Sequence, residues 1–173
     1  MPSLDATPPG LVPGGVSAAG FADLLLTGLT ACDAAALLID PGSDGDALAT
    51  LQRDLLPRLA DRNFALIVKD QPDLVASIGA DGIHLSDVTQ LKKLRGKLAD
   101  LSIGVTTPLE RHEAMDAAEL GADYIAFDAT SAAVGIDEVL PLIQWWGEMM
   151  TVPSVETRSP AIKVRVVSSR NAK

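Results

Sequence analysis

Cysteine occurs once in this chain, as Cys32, so no internal disulfide can hold it together. Within "LLLTGLTACDAAALL" that residue reads as a small buried apolar side chain rather than a reactive thiol. Aromatic residues make up only 3% of the 173 residues, which leaves Ala, Leu, Val, Ile and Gly to build the core. No apolar run reaches transmembrane length, and the start lacks the basic-then-apolar pattern of a signal peptide. Together with the lack of disulfides, this predicts a cytoplasmic protein. Basic side chains are outnumbered, 14 against 23 acidic ones; the net charge of −9 argues against nucleic acid or an anionic membrane as partner. The chain also has no Cys/His metal cluster, P-loop or nucleophile elbow.

What it does have is repetition. "GADGIHL" at 79–85 returns as "GADYIAF" at 121–127. Each copy follows a helix-like run and precedes a short apolar one. Glycine just past a helix suits a left-handed cap, because it lacks the Cβ that makes positive φ costly. Each phrase therefore reads as helix, stop, tight turn, strand. Asp81 and Asp123 are expected to be turn residues.

The surrounding pattern extends that unit. Buried-strand runs occur at 35–39, 64–68, 82–85, 101–105 and 124–127, with helical patterns at 17–32, 46–62, 71–78, 88–99, 108–120 and 136–150. Strands alternating with helices predict parallel βαβ units. "SLDA", "TVPSV" and "IKVRVV" are weaker strand candidates. Residues 1–16 are expected to be irregular, 17–155 to form one β/α domain, and 156–173 to be a basic irregular tail. The charge changes abruptly there: residues 1–150 carry 9 basic and 22 acidic side chains, residues 151–173 carry 5 and 1.

In such folds ligands bind at the C-terminal strand ends. Those ends here are Asp40, Asp70, Asp87, Thr106 with Thr107, and Asp128. Carboxylates in neighbouring units suit a hard cation such as Mg²⁺, and threonines before a helix suit a phosphate. The same residues also suit helix capping: Thr107-Pro108-Leu109-Glu110 and Asp87-Val88-Thr89-Gln90 both fit a capping box. His84, among apolar neighbours, is expected to be packed and hydrogen-bonded. Trp145 and Trp146 are expected to pack.

The runs "ALIVKDQPDLVASIGADGIHLSD" and "IGVTTPLERHEAMDAAELGADYIAFD" resemble thiamine phosphate synthases over roughly residues 34–150. The resemblance implies a (β/α)8 TIM-barrel type of fold, incomplete here with about six to seven βα units. An open flavodoxin-like sheet is the alternative. It also implies a transferase that joins a pyrimidine pyrophosphate to a thiazole phosphate, using Mg²⁺, with Asp70 and Asp87 at the metal and Lys69, Thr106 and Thr107 at the phosphates. Some family positions are substituted. The Asn-Asp pair becomes Lys69-Asp70, the second metal aspartate falls near Thr89, and Asp128-Ala129-Thr130-Ser131 replaces Gly-Pro-Ile-Phe. A family member would also continue through a Gly-Gly phosphate loop and a final βα unit. Two readings stay open: a synthase-like enzyme with activity weakened or lost, and a non-catalytic phosphate-ligand-binding or regulatory barrel. The expected partner is a small phosphorylated molecule, with self-association through an open barrel edge as a further expectation.

Overall fold

The computed structural model describes residues 23, 25–28, 36–40, 56–59, 64–128 and 136–157. Among these residues six parallel strands form one sheet: β1 (Ala36–Ile39), β2 (Ala65–Lys69), β3 (Gly82–Leu85), β4 (Ser102–Thr107), β5 (Tyr124–Asp128) and β6 (Ser154–Thr157). Their order in the sheet is their order in the chain, and every neighbouring pair is parallel. That order rules out the flavodoxin-like alternative, in which the second strand lies outside the first. A sequential parallel sheet that curls is instead part of a barrel, and this one is a half-barrel.

Between the strands lie α1 (Pro72–Ile78), α2 (Leu91–Arg95), α3 (Arg111–Glu119) and α4 (Ile136–Met149). Pro72 opens α1, where its missing N–H costs nothing. The helix expected over 88–99 is shorter and divided, with a 3-10 turn at Val88–Gln90 before α2. The strand expected at "TVPSV" is β6, which runs to Thr157. Of the helices expected at 17–32 and 46–62, the described parts are helical residues near Leu25 and a 3-10 turn at Leu56–Leu59. Cys32, residues 1–16, "SLDA" and "IKVRVV" lie outside the described residues.

Alternation along each strand sorts the side chains onto two faces. Leu37, Ile39, Leu66, Val68, Ile83, Leu85, Ile103, Val105, Ile125 and Phe127 form one cluster with residues from all four helices. Trp146 is its largest fully buried side chain. It meets Phe127 edge-on, and its indole Nε1 donates to the Val152 carbonyl at 2.6 Å. Trp145, beside it, carries the Arg111 guanidinium over its ring at 4.4 Å. The packing expectation holds for both tryptophans.

The repeated phrase is one device used twice. Gly79 and Gly121 both have positive φ, 62° and 96°. The next residue in each copy closes the helix, Ala80 N–H onto Val75 O and Ala122 N–H onto Ala117 O. The aspartate then clamps the neighbouring strand. Asp81 N–H donates to Leu66 O while Leu66 N–H donates to Asp81 Oδ2. Asp123 and Ile103 exchange the same two bonds, at 2.8 and 2.7 Å. Arg95 adds to the second copy, donating to Asp123 Oδ2 and to the carbonyls of Gly121, Leu98 and Leu101. Asp81 and Asp123 are turn residues, as expected, and each also supplies an acceptor to the adjacent strand.

Candidate functional site

The opposite ends of the strands, and the sheet face turned away from the helices, hold the polar side chains. Register puts Lys69, His84, Gly104 and Tyr124 level with one another across β2 to β5. His84 is 4% exposed, and both its ring nitrogens have hydroxyl partners. Nδ1 lies 3.0 Å from the Tyr124 hydroxyl and Nε2 lies 2.8 Å from Thr106 Oγ1. The Tyr124 ring also stacks on the imidazole, with centroids 5.7 Å apart and planes at 18°. Two strand spacings separate their backbones, about 10 Å. The contact is possible because β4 places no side chain between them: a Cβ at Gly104 would stand 1.9 Å from Tyr124 Cζ. Burial pushes the Tyr124 phenol well above its ordinary pKa, so it stays protonated through the neutral range. His84 is packed and hydrogen-bonded, as the sequence predicts.

Lys69, at the end of β2, reaches across to β1. Its Nζ lies 2.8 Å from Asp40 Oδ2, with both side chains one-third exposed. Asp70 follows with φ 52°, the one non-glycine residue at positive φ among the described residues. Such backbone is costly for a residue with a Cβ, and it tends to occur where a site needs a side chain aimed. Two interactions hold it: Asp70 N–H donates to His84 O, and the carboxylate accepts from Ser86 N–H at 2.7 Å and Ser86 Oγ at 2.6 Å. Asp87 caps the 3-10 turn as expected, but it accepts from Thr89 N–H and Thr89 Oγ1, and the reciprocal bonds with Gln90 that would complete a capping box do not form. The Thr89 bonds hold its carboxyl below the usual carboxylate value.

The other capping box does not form either. Helix α3 starts at Arg111 with Glu110 at its cap position and no side-chain cap. Thr107 is instead the last residue of β4, 1% exposed, on the helix-facing side with Ile103 and Val105. Its Oγ1 has no hydrogen-bond partner among the described residues. The strand simply continues two residues further than its apolar run. The structure thus joins Thr106 to His84 and Tyr124, and Lys69 to Asp40, while the Thr107 side chain belongs to the opposite face.

A divalent cation can be tested against these donors. Each Asp70 oxygen accepts one hydrogen bond and keeps a further lone pair. Mg²⁺ usually takes one or two carboxylates and fills its shell with water and substrate phosphate. Asp70 fits that role as a single carboxylate; among the described residues no group of three or more ligating side chains forms a cage. Also among the described residues, no helix is long and apolar enough to cross a membrane.

Tyr124 and Gly104 are the site residues that sequence patterns miss. A glycine inside a strand signals a close approach, and the Gly104 of "IGV" is that signal.

A sequential parallel sheet with helices on one face and polar groups at the C-terminal strand ends defines the class: a β/α barrel type of fold. The particular family follows from relatives. Residues 14–155 match the thiamine monophosphate synthase family, and the chain belongs to it. It is 35% identical over 158 residues to a thiamine-phosphate synthase of Rhodospirillum centenum, covering 86% of this chain and 73% of that protein. It is 36% identical over 160 residues to one of Hyphomonas neptunium, covering 86% and 71%. Among solved structures, thiamine phosphate pyrophosphorylase from Pyrococcus furiosus superposes with a TM-score of 0.60 at 19% identity, over 79% of this chain and 69% of that one. The Amycolatopsis orientalis BexX/CysO complex superposes at 0.54 and 18% identity, over 78% and 65%. These two likenesses show the fold.

Proposed function

We propose that this chain is a thiamine phosphate synthase-like barrel that binds a phosphorylated small molecule at the C-terminal ends of β2 to β4 and joins a pyrimidine pyrophosphate to a thiazole phosphate. Family membership, together with the constrained Asp70 at a strand end, carries the reading. Asp70 would hold Mg²⁺, with Asp87 assisting from the next unit. The bound ion would neutralise charge on the departing pyrophosphate. Thr106 and the ammonium of Lys69 would contact phosphate oxygens, while Thr107, with its hydroxyl buried, supports them from the helix-facing side. Lys69 uses one of its three donors on Asp40 and has two left.

Two observations favour the second reading, a non-catalytic phosphate-ligand barrel. Asp40 offsets the Lys69 charge, and Thr89, which would stand at the second metal position, is bonded to Asp87. Removing one preorganised charge-stabilising contact commonly costs a factor of ~10²–10³ in rate. Self-association through the edges at β1 and β6, the outer strands among the described residues, belongs to the same proposal, since an open strand edge invites pairing.

Two measurements on the purified chain test this. Thiamine phosphate formation from the two phosphorylated substrates separates enzyme from binder. Calorimetry with Mg-pyrophosphate on wild type and Asp70→Ala tests the site itself. Equal affinity in the two proteins would remove Asp70 from it.

A further inference from the structure

We propose that Tyr124 and His84 form a one-way hydrogen-bond relay that fixes Thr106 as a donor toward ligand oxygen, making both of them positioning residues. The inference rests on the reading of Thr106 as a ligand contact. It goes further in saying which way each proton faces.

The direction follows from counting donors and acceptors. Tyr124 is largely buried, and its hydroxyl has one partner among the described residues, His84 Nδ1 at 3.0 Å. A buried hydroxyl proton needs an acceptor. Nδ1 supplies it only as a bare nitrogen, so the neutral ring carries its proton on Nε2. Nε2–H then donates to Thr106 Oγ1, 2.8 Å away. With that oxygen accepting, the Thr106 proton is left to point elsewhere, and Thr106 stands at the C-terminal end of β4. There it meets an incoming anionic oxygen as a ready donor. In the reverse arrangement Thr106 would donate to His84 and offer the ligand only lone pairs, which repel a phosphate. Bonds aligned in this way also polarise one another.

Gly104 is part of the device. It sits level with His84 on one side and Tyr124 on the other. Its missing Cβ lets a tyrosine on β5 reach a histidine on β3. Side-chain chemistry from three strands thereby converges on one hydroxyl.

The chain contains two histidines, His84 and His112, so the ring tautomer can be read directly. Long-range ¹H–¹⁵N correlation spectra of labelled protein, assigned with His112→Gln, should show His84 neutral with its proton on Nε2. A proton on Nδ1, or an imidazolium at neutral pH, overturns the relay. Tyr124→Phe keeps the ring and removes the donor, so it should shift His84 toward the other tautomer; an unchanged spectrum also overturns the relay. Binding of Mg-pyrophosphate should weaken by about threefold to tenfold in Tyr124→Phe, the effect of losing one oriented hydrogen bond. Thr106→Val should weaken binding at least as much, the double variant no further, and Thr106→Ser should restore it. Weakened binding in Thr106→Val with wild-type binding in Tyr124→Phe refutes the relay and leaves the phosphate site standing. If wild-type protein fails to bind Mg-pyrophosphate, the ligand reading fails, and the wild-type spectrum still decides the direction of the relay.

Discussion

Replacing Asp81 or Asp123 by alanine should destabilise the fold without touching the strand ends where a ligand would bind. Each carboxylate accepts from a backbone N–H on the neighbouring strand, Leu66 or Ile103, at 2.7 Å. Alanine leaves that partly buried donor unsatisfied, which costs about 1–3 kcal/mol. Asp123 also pairs with Arg95 at 2.7 Å, but its side chain is 48% exposed and Arg95 keeps three carbonyl partners. A solvent-screened pair of this kind adds only ~0–1 kcal/mol. The Arg95 pair therefore adds little to the cost of Asp123→Ala beyond the lost strand clamp. The two clamped strands, β2 and β4, are two spacings apart, about 10 Å, so the double variant should be close to additive. Asparagine keeps an acceptor oxygen but loses the charge, and charged hydrogen bonds are roughly twice as strong as neutral ones. The order of stability should be aspartate, asparagine, alanine at both positions. Urea unfolding followed by far-UV circular dichroism measures all five variants. An Asp81→Ala midpoint that matches the parent to within ~0.5 kcal/mol would refute the clamp.

Three further outcomes follow from the face that carries the polar row and from its backing. Tyr124 is the only tyrosine, so phenolate absorbance reports it alone; it should titrate well above pH 10 in the folded protein, because burial raises it. Above pH 10 the unfolded chain releases that proton and the folded one keeps it, so stability should fall as pH rises, by about 1.4 kcal/mol per pH unit, and Tyr124→Phe should abolish this alkaline limb. Gly104→Ala drives a Cβ into the Tyr124 ring; it should cost about 1–3 kcal/mol in urea unfolding and break the Tyr124–His84 contact, which NMR of the variant would test. Trp146→Phe removes the 2.6 Å bond to Val152 O from a fully buried site; a loss of about 1–3 kcal/mol in thermal unfolding is expected, and an unchanged midpoint would mean that this indole does not tie α4 to β6.

The two ends of the strands differ in how openly the sequence declares them. The Gly-Ala-Asp turns could be read in advance because each has a local cause. A helix must stop, glycine alone takes positive φ cheaply, and the aspartate sits beside the strand it clamps, so one short phrase suffices and the chain repeats it. Strands were found for the same reason: five apolar runs became β1 to β5 with shifts of one or two residues. The failure at Thr107 is also local in origin. Its four-residue template matches a capping box, but β4 continues through it, and pairing with Phe127 on β5 outweighs the cap. The site is another matter. His84 and Tyr124 are 40 residues apart, and His84 and Thr106 are 22 apart. Their meeting depends on register and on a side chain that Gly104 lacks. No periodicity reports an empty position, so composition could mark His84 as packed without naming its partners. Two of the family's substituted positions, Lys69 and the place near Thr89, fall where β2 and β3 terminate, and a third, Asp128 to Ser131, begins at the end of β5. The Tyr124–Gly104–His84–Thr106 group lies on β3 to β5, between those positions, and is joined by hydrogen bonds and ring stacking. If ligand binding has survived those substitutions, this group is where its geometry is still fully built.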